Sequence, residues 1–222
     1  MEKPKYKFVH PDTVLFLTGI PLSGKSTLCP LISSSIEGCT LQSMDIFRLF
    51  SQEFENRKPE KIRNPYVKFG SCDSYIHIGK GKYTPRNLII GFNRYAEVVS
   101  SLLSVVLPKL EAQGVKNMIF EGVQLTPSIV FPYLKNNNKL IILTTNEKKI
   151  VQNRTKIFGE DLALLDRYSN EKLLLLQKEI LKQSRKLPLK SVYIVDNSGE
   201  YLNTANKIID YLLNTKVIEE IN

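Results

Sequence analysis

The sequence that decides the fold is Gly19-Ile20-Pro21-Leu22-Ser23-Gly24-Lys25-Ser26-Thr27. It matches the phosphate-binding pattern G-x-x-x-x-G-K-[ST]. Residues 14–18 before it are an apolar run typical of a buried strand, and the residues after Lys25 can begin a helix. In such a turn, successive backbone N–H groups surround a phosphate, and the helix N-terminus adds partial positive charge. This order of strand, loop and helix predicts a nucleotide-binding site.

Each part of this loop has an expected role toward a nucleotide. The Lys25 ammonium would reach the β- and γ-phosphates, and the Ser26 hydroxyl would bind Mg²⁺. The predicted nucleotide-binding residues are Gly19, Leu22, Ser23, Gly24, Lys25, Ser26 and Thr27. The alternative is a loop rich in Gly and Ser that only connects a strand to a helix.

Length and composition favour a single soluble domain. The chain has 222 residues, and we predict one domain over residues 1–222. Hydrophobic residues make up 42% of it, enough for a substantial core. The sequence contains neither an apolar run of about 18 residues nor the apolar stretch of a signal peptide near its start. Three cysteines without metal-ligand spacing indicate reduced thiols. We therefore expect a cytoplasmic protein that does not bind membranes.

Positive charge is concentrated in two parts of the sequence. The formal net charge is +9. Residues 57–86 hold eight Lys and Arg against two acids, and residues 135–190 hold thirteen against six. Basic stretches are often only solvated surface, but here they accompany a phosphate-binding loop. This combination indicates a site for several anionic groups, and nucleic acid is the other partner that such charge could attract.

Strands and helices alternate along the sequence. Apolar runs bounded by Gly or Pro predict five strands, at residues 14–18, 40–44, 117–122, 140–144 and 192–195. The predicted helices lie at residues 25–35, 45–54, 85–112, 147–158, 170–187 and 201–213. This order predicts an α/β fold of the phosphate-loop NTPase type, with a five-stranded parallel sheet, helices on both faces and a helical lid. Ligands bind such sheets at the carboxyl ends of the strands.

Two segments outside the sheet are predicted to bind or cover a substrate. Residues 56–86 are polar and basic with several Gly and Pro, and long loops in compact domains are usually functional. The predicted substrate contacts in this segment are His77, Lys80, Lys82 and Arg86, although an isolated histidine is more often structural. Residues 146–168 form the predicted lid, in which a helix breaks at Gly159.

Two arginines of the lid region are predicted to take part in catalysis. Arg154 and Arg167 flank the break at Gly159. An arginine that arrives when a lid closes can stabilise the charge on a transferring phosphoryl group. The alternative is a basic helix that only faces solvent.

Asp45 and Arg48 follow the second predicted strand. A carboxylate opposite a phosphate-binding loop can accept the proton of an attacking hydroxyl, so we predict that Asp45 is a general base. Arg48 would hold an anionic group of the substrate. An isolated aspartate at the start of a helix is, however, more commonly its N-cap.

Glu121 ends the third predicted strand, and Gln124 lies just beyond it. An acid at this point of a phosphate-loop fold can order Mg²⁺ or its water shell. A buried salt bridge to Lys25 is the equally weighted alternative for Glu121. Gln124 is predicted to contact the substrate in the mouth of the site.

Several motifs together resemble the archaeal 2-phosphoglycerate kinases and the related mevalonate 3-phosphate 5-kinases. Besides the loop, these are Asp45-Ile46-Phe47-Arg48, residues 77–85 before a long helix, Phe120-Glu121-Gly122-Val123-Gln124-Leu125-Thr126-Pro127 and Asp166-Arg167-Tyr168. The resemblance covers most of the chain. The D-x-x-R element is also shared with polynucleotide kinases and zeta-toxin-like kinases, so the Glu-Gly-Val segment is the more specific marker. The sequence has Gln124 where the 2-phosphoglycerate kinases have histidine. Those enzymes also tend to carry an additional N-terminal domain, whereas the first predicted strand here begins at about residue 13.

The resemblance implies a kinase that uses ATP and Mg²⁺ to phosphorylate the primary hydroxyl of a phosphorylated small carboxylate. In that interpretation Asp45, Lys25, Arg154 and Arg167 are the catalytic residues. The first candidate function is that of a mevalonate 3-phosphate 5-kinase, an enzyme of isoprenoid biosynthesis, and the second is that of a 2-phosphoglycerate kinase. A polynucleotide 5′-hydroxyl kinase and a nucleotide-sensing module without catalysis are the alternatives. The expected partner is a small anion rather than nucleic acid. The sequence leaves open whether the protein forms a homodimer.

Overall fold

A parallel sheet of five strands forms the centre of the molecule. The computed structural model describes residues 3–135 and 137–221. Its strands are β1 (Tyr6–Phe8), β2 (Val14–Gly19), β3 (Thr40–Ser43), β4 (Met118–Glu121), β5 (Lys139–Thr144), β6 (Val192–Asp196) and β7 (Ile218–Glu220). The five-stranded sheet has the order β3-β4-β2-β5-β6 with all neighbours parallel. This confirms the predicted sheet. The antiparallel pair of β1 and β7 was not predicted, because strands this short carry no readable periodicity.

Helices cover both faces of this sheet. They are α1 (Lys25–Ser35), α2 (Met44–Asn56), α3 (Pro85–Ser100), α4 (Leu103–Ala112), α5 (Pro127–Val130), α6 (Glu147–Phe158), α7 (Leu162–Arg167), α8 (Asn170–Ser184) and α9 (Tyr201–Asn214). Successive residues of the strands face opposite sides. Phe16 and Phe120 pack into one core with α2, α3 and α8, whereas Leu17 and Ile119 pack into the other with α1 and α9. Burial on both faces explains why the strands read as continuous apolar runs.

After two neighbouring strands, β2 and β4, the chain continues on opposite faces of the sheet. β2 pairs with β4 on one side and with β5 on the other. After β2 the chain continues through α1 on one face of the sheet, and after β4 it continues through α5 on the other. Such divergence leaves a crevice at the carboxyl ends of the strands, where α/β sheets bind ligands. The phosphate-binding loop follows β2 and Glu121 ends β4, so both meet at this crevice.

The predicted helix at 85–112 is two helices rather than one. The regular structure is interrupted between Ser100 and Leu103. Near the break, the Ser101 and Ser104 hydroxyls donate to backbone carbonyls three residues earlier, and such bonds compete with helical pairing. Of the described residues, Pro85–Ala112 is the one stretch with the length and hydropathy of a membrane span. Its inward side is fully buried in the protein core, at Leu88 and Leu103 among others.

Residues 56–86 form a segment of short turns that packs against α3. Its 3₁₀ turns are Glu60–Ile62, Pro65–Val67, Ser74–His77 and Gly79–Gly81. The contact with α3 is very close at Gly91. A Cβ there would lie 2.5 Å from the carbonyl carbon and oxygen of Ser74 and 2.6 Å from the backbone nitrogen of Tyr75. The turn at Ser74 is therefore fixed against the helix by backbone contact.

Candidate active site

Gly24 shapes the phosphate-binding loop between β2 and α1. Its φ of +89° lies in the left-handed region, where L side chains are strained. A Cβ here would also lie 2.5 Å from a ring carbon of Tyr201 and 2.7 Å from Nδ2 of Asn197. Leu22, also in the loop, has a φ of +66°. The local backbone and the packing around it both require glycine at position 24.

Two asparagine side chains support this loop from outside. Nδ2 of Asn197, which follows β6 and is fully buried, donates to the carbonyl oxygen of Ser23 at 2.7 Å. Nδ2 of Asn153 on α6 donates to the carbonyl oxygen of Leu22 at 2.8 Å. From the sequence, Asn197 is expected at the carboxyl edge of the sheet because it follows a predicted strand, but neither asparagine has a predicted role. No local signal marks Asn153.

We expect Asn197→Asp to lower the free energy of unfolding by about 3 kcal/mol, because it places an unpaired buried carboxylate against a carbonyl oxygen. Nucleotide affinity should fall with it, since the loop loses one support. Thermal unfolding and nucleotide titration measure the two effects. Asn206→Asp, on the exposed side of α9, is the matched control and should change stability by less than about 0.5 kcal/mol. Equal behaviour of the two variants would contradict the support role.

Lys25 is bound to the loop itself. Its Nζ donates to the carbonyl oxygens of Gly19 at 2.9 Å and Ile20 at 2.8 Å. Burial lowers the pKa of Lys25, and the nearby Glu121 and Asp45 carboxylates oppose that shift. A phosphate oxygen would be a stronger, charge-assisted acceptor than these neutral carbonyls. The ammonium therefore stands where the loop can present it to a phosphate.

Glu121 is nearly buried at the end of β4, and its Oε1 accepts a hydrogen bond from Oγ of Ser43 at 2.5 Å. Ser26, in the first turn of α1, has an exposed side chain. Both residues line the same cleft. Mg²⁺ takes oxygen ligands and usually keeps several waters, so one hydroxyl and one carboxylate fit it together with nucleotide phosphates. No cluster of three or more His, Cys, Asp or Glu occurs in residues 3–135 and 137–221, so a dedicated protein cage for a metal is not seen there.

Two adjoining cavities meet at the crevice. The first, of about 520 Å³, is lined by the phosphate-binding loop, by Asn153 and Lys156 of α6 and by Tyr201; we call it the nucleotide cleft. The second, of about 340 Å³, lies beside it and is called the acceptor cavity. The residues that line both are Pro21, Lys25, Asp45, Glu121 and Tyr168. The predicted general base thus lies where the two cavities join.

The acceptor cavity carries positive charge on a partly apolar wall. Arg48, Lys68 and Arg167 contribute cationic groups. Its apolar and aromatic lining comes from Phe69, Val123, Tyr95 and Tyr168. Nε of Arg48 lies 3.5 Å from Oδ1 of Asp45, whose side chain is 68% exposed. The cavity can therefore hold a small molecule with anionic groups and an apolar part.

Gln124 does not line either cavity, contrary to its predicted contact with substrate. Its side chain is fully buried. Nε2 donates to the Tyr95 hydroxyl at 2.7 Å and lies 3.5 Å from Oδ1 of Asp45. The reason is the turn after β4, which directs this side chain inward behind the cavity wall. Gln124 therefore contacts the site through Tyr95 and Asp45.

The predicted contacts Lys80, Lys82 and Arg86 are exposed and do not line the acceptor cavity. The segment turns outward after Ile78, where Lys80 has a φ of +62°. The part that faces the cavity is instead Lys68, Phe69, Gly70 and Ser71.

His77 also lies outside the acceptor cavity. It packs against Phe69, with ring centroids 5.0 Å apart, and lines a separate cavity of about 440 Å³. Burial, and to a lesser extent Lys68, lower the pKa of His77. His77 therefore packs within its own segment and does not face the acceptor cavity.

The two predicted lid arginines have different surroundings. Nε of Arg167 pairs with Oδ2 of the nearly buried Asp73 at 2.5 Å, and Arg167 lines the acceptor cavity. Arg154 lines neither cavity, and its Nη1 donates to the carbonyl oxygen of Tyr168 at 3.2 Å. The structure thus brings Arg167 to the site, while Arg154 joins two parts of the lid region. The basic residue of α6 that lines the nucleotide cleft is Lys156.

The start of α8 packs against the 56–86 segment through several side-chain contacts. Nζ of the buried Lys172 lies 5.5 Å from the ring centre of Tyr75 and 5.6 Å from that of Tyr83. The Tyr83 hydroxyl donates to Oε1 of Glu171 at 2.9 Å. Together with the ion pair of Arg167 and Asp73, these contacts join the lid region to the wall of the acceptor cavity.

Comparison with solved structures gives the fold class. Shikimate kinase from Acinetobacter baumannii in complex with shikimate is 17% identical with a TM-score of 0.53, and the match covers 92% of this chain and 95% of that one. A gluconokinase from Sinorhizobium meliloti 1021 is 14% identical with a TM-score of 0.50, covering 91% and 93%. The chain has the phosphate-loop kinase fold. No protein-family model and no curated protein matches the sequence. At these identities the likeness extends to the fold alone.

Proposed function

We propose that the protein is a kinase that transfers a phosphoryl group from ATP to a hydroxyl of a small anionic acceptor. The observation that carries the proposal is the position of Asp45, at the junction of the nucleotide cleft and a basic acceptor cavity. A hydroxyl bound in the cavity could give its proton to this carboxylate as it attacks. The structures of the same fold named above are kinases, one of them in complex with shikimate.

The residues divide the chemical work between them. Bound ATP would supply the phosphoryl group, and Mg²⁺ on Ser26 and near Glu121 would offset its charge. Lys25 would hold phosphate oxygens at the base of the loop. Arg48 and Arg167 would fix anionic groups of the acceptor, so that its hydroxyl is oriented toward the nucleotide. Positioning of this kind is the main contribution of proteins to phosphoryl transfer.

Mevalonate 3-phosphate is the acceptor that we propose first. It carries a carboxylate, a phosphate ester, a methyl group and a primary hydroxyl. The cationic side chains of the acceptor cavity suit its two anionic groups, and Val123 and Phe69 offer an apolar surface for the methyl group. The resemblance of the Glu-Gly-Val segment supports this class of acceptor. 2-Phosphoglycerate, which lacks the methyl group, is the second candidate.

Phosphoryl transfer from γ-labelled ATP with Mg²⁺ tests the proposal. Mevalonate 3-phosphate, 2-phosphoglycerate and a 5′-hydroxyl oligonucleotide would be offered as separate acceptors. We expect transfer to mevalonate 3-phosphate and none to the oligonucleotide. Transfer to 2-phosphoglycerate alone would replace the acceptor, and transfer to the oligonucleotide with a steep dependence on salt would indicate a nucleic-acid kinase. ATP binding without transfer to any acceptor would favour a nucleotide sensor.

A further inference from the structure

The amide of Gln124 has an orientation that its neighbours determine. Nε2 lies 2.7 Å from the Tyr95 hydroxyl and 3.5 Å from Oδ1 of Asp45. The N–H end of the amide faces Asp45, whose carboxylate oxygens can accept from it, and the amide oxygen has no hydrogen-bond partner among the described residues. The Ser100 hydroxyl donates to the backbone oxygen of Gln124 at 3.2 Å and fixes the turn. Because the same Nε2 lies 2.7 Å from the Tyr95 hydroxyl, Gln124 is also the donor in that hydrogen bond.

The Tyr95 hydroxyl consequently has its own proton to donate elsewhere. It accepts the bond from Gln124, and a phenol has one O–H donor besides its acceptor sites. Among the described residues 3–135 and 137–221, the structure gives this O–H no acceptor. Tyr95 is 1% exposed and lines the acceptor cavity. Burial raises the pKa of Tyr95, which keeps its proton in place.

We infer that Tyr95 binds an anionic oxygen of the acceptor through its O–H, and that Gln124 is a positioning residue for both Tyr95 and Asp45. The inference rests on the proposed function, because it names a contact of the same acceptor cavity. It assigns to Gln124 an action through its neighbours, not a contact with the acceptor. The donor set for the acceptor anions then includes a neutral hydroxyl beside the cationic groups of Arg48, Lys68 and Arg167.

Tyr95→Phe tests the contact with little change in packing. Loss of a hydrogen bond to a charged group should raise the KM for the acceptor by about 10- to 100-fold. The KM for ATP should stay within about twofold, since Tyr95 does not line the nucleotide cleft. Binding of inorganic phosphate, measured by calorimetry with the full chain and ADP, gives a readout without turnover and should weaken in the same variant. Thermal unfolding of both proteins shows whether the variant is folded.

Gln124→Glu tests the positioning role. A carboxylate at 124 would accept a hydrogen bond from the Tyr95 hydroxyl and stand beside Asp45, so that a second negative charge favours the protonated form of the carboxylate pair. We expect the acid limb of the pH–rate profile to move to higher pH and the KM for the acceptor to rise. In the matched variant Gln124→Met the KM should rise without a shift of the pH profile, because no charge is added.

The outcomes separate this inference from the proposed function. Phosphate binding that is absent in the natural chain, or equally tight after Tyr95→Phe, would overturn the inference. The same conclusion would follow if the pH profile of Gln124→Glu matched that of Gln124→Met. If phosphate binds and weakens in Tyr95→Phe while no acceptor is phosphorylated, the inference stands and the proposed reaction fails.

Discussion

We expect Asp45→Asn to lower kcat for the proposed phosphoryl transfer by about 10³-fold, the middle of the range for loss of a general base. The asparagine keeps the size of the side chain but cannot take the proton of the attacking hydroxyl. In the proposed site the nucleotide would be held mainly by the loop and Lys25, so the Kd for ATP should change by less than about threefold. The effect should appear in kcat, because the proton is transferred in the chemical step.

Glu53→Gln is the matched control for this variant. It removes one negative charge from the exposed side of the same helix, α2, away from both cavities. Its kcat should equal that of the natural chain. Steady-state kinetics and ATP titration of the three proteins measure the difference. If Asp45→Asn kept the kcat of the natural chain, Asp45 would not be the general base. If the variant lost ATP binding, Asp45 would instead be a nucleotide-binding residue.

We expect Gly91→Ala to destabilise the protein although alanine favours the helix. Alanine in the middle of α3 should gain about 1 kcal/mol over glycine from helix propensity alone. The added Cβ, however, would stand 2.5 Å from the Ser74 carbonyl, a backbone group that cannot turn away as a side chain could. Overpacking of this kind costs about 1–3 kcal/mol. We expect a net loss of up to about 2 kcal/mol in the free energy of unfolding, together with a higher KM for the acceptor.

Denaturant unfolding of Gly91→Ala and Gly70→Ala makes the comparison. Gly70 is in the same segment, but a Cβ there would have no neighbour within 4 Å. Its replacement should therefore change stability by no more than about 0.5 kcal/mol. A Gly91→Ala protein more stable than the natural chain would show that propensity outweighs the contact, and that the turn at Ser74 can move from α3.

The sequence predicted those features whose signal is local. Buried strands read as apolar runs, and the loop pattern ending in Gly24, Lys25 and Ser26 carries its own backbone requirement. Asp45 and Glu121 were correctly predicted to lie near the loop, because each follows or ends a strand and the carboxyl ends of parallel strands meet at one edge of the sheet.

The rest depends on contacts between distant parts of the chain. Asn153 and Asn197 reach the loop from α6 and from the end of β6. The place of Asn197 after a strand indicates that it is near the loop, but nothing in the immediate sequence of Asn153 does. Tyr95 has no local signal beyond its place in the predicted helix at 85–112. Lys80 and Lys82 share their segment's charge with Lys68, yet only Lys68 faces the acceptor cavity, since the direction of each side chain depends on how the segment turns.

The contacts around Lys172 affect any attempt to exchange segments with another protein of the same fold. Residues 73–83 and 166–172 hold each other through an ion pair, a tyrosine–glutamate bond and two aromatic rings around one ammonium. A foreign loop inserted at 73–83 alone would take away the two rings beside Lys172, which would keep only its contacts with Asp166, and would remove the carboxylate that pairs with Arg167. A chimaera should therefore carry both stretches from the same donor protein, as a single exchangeable unit.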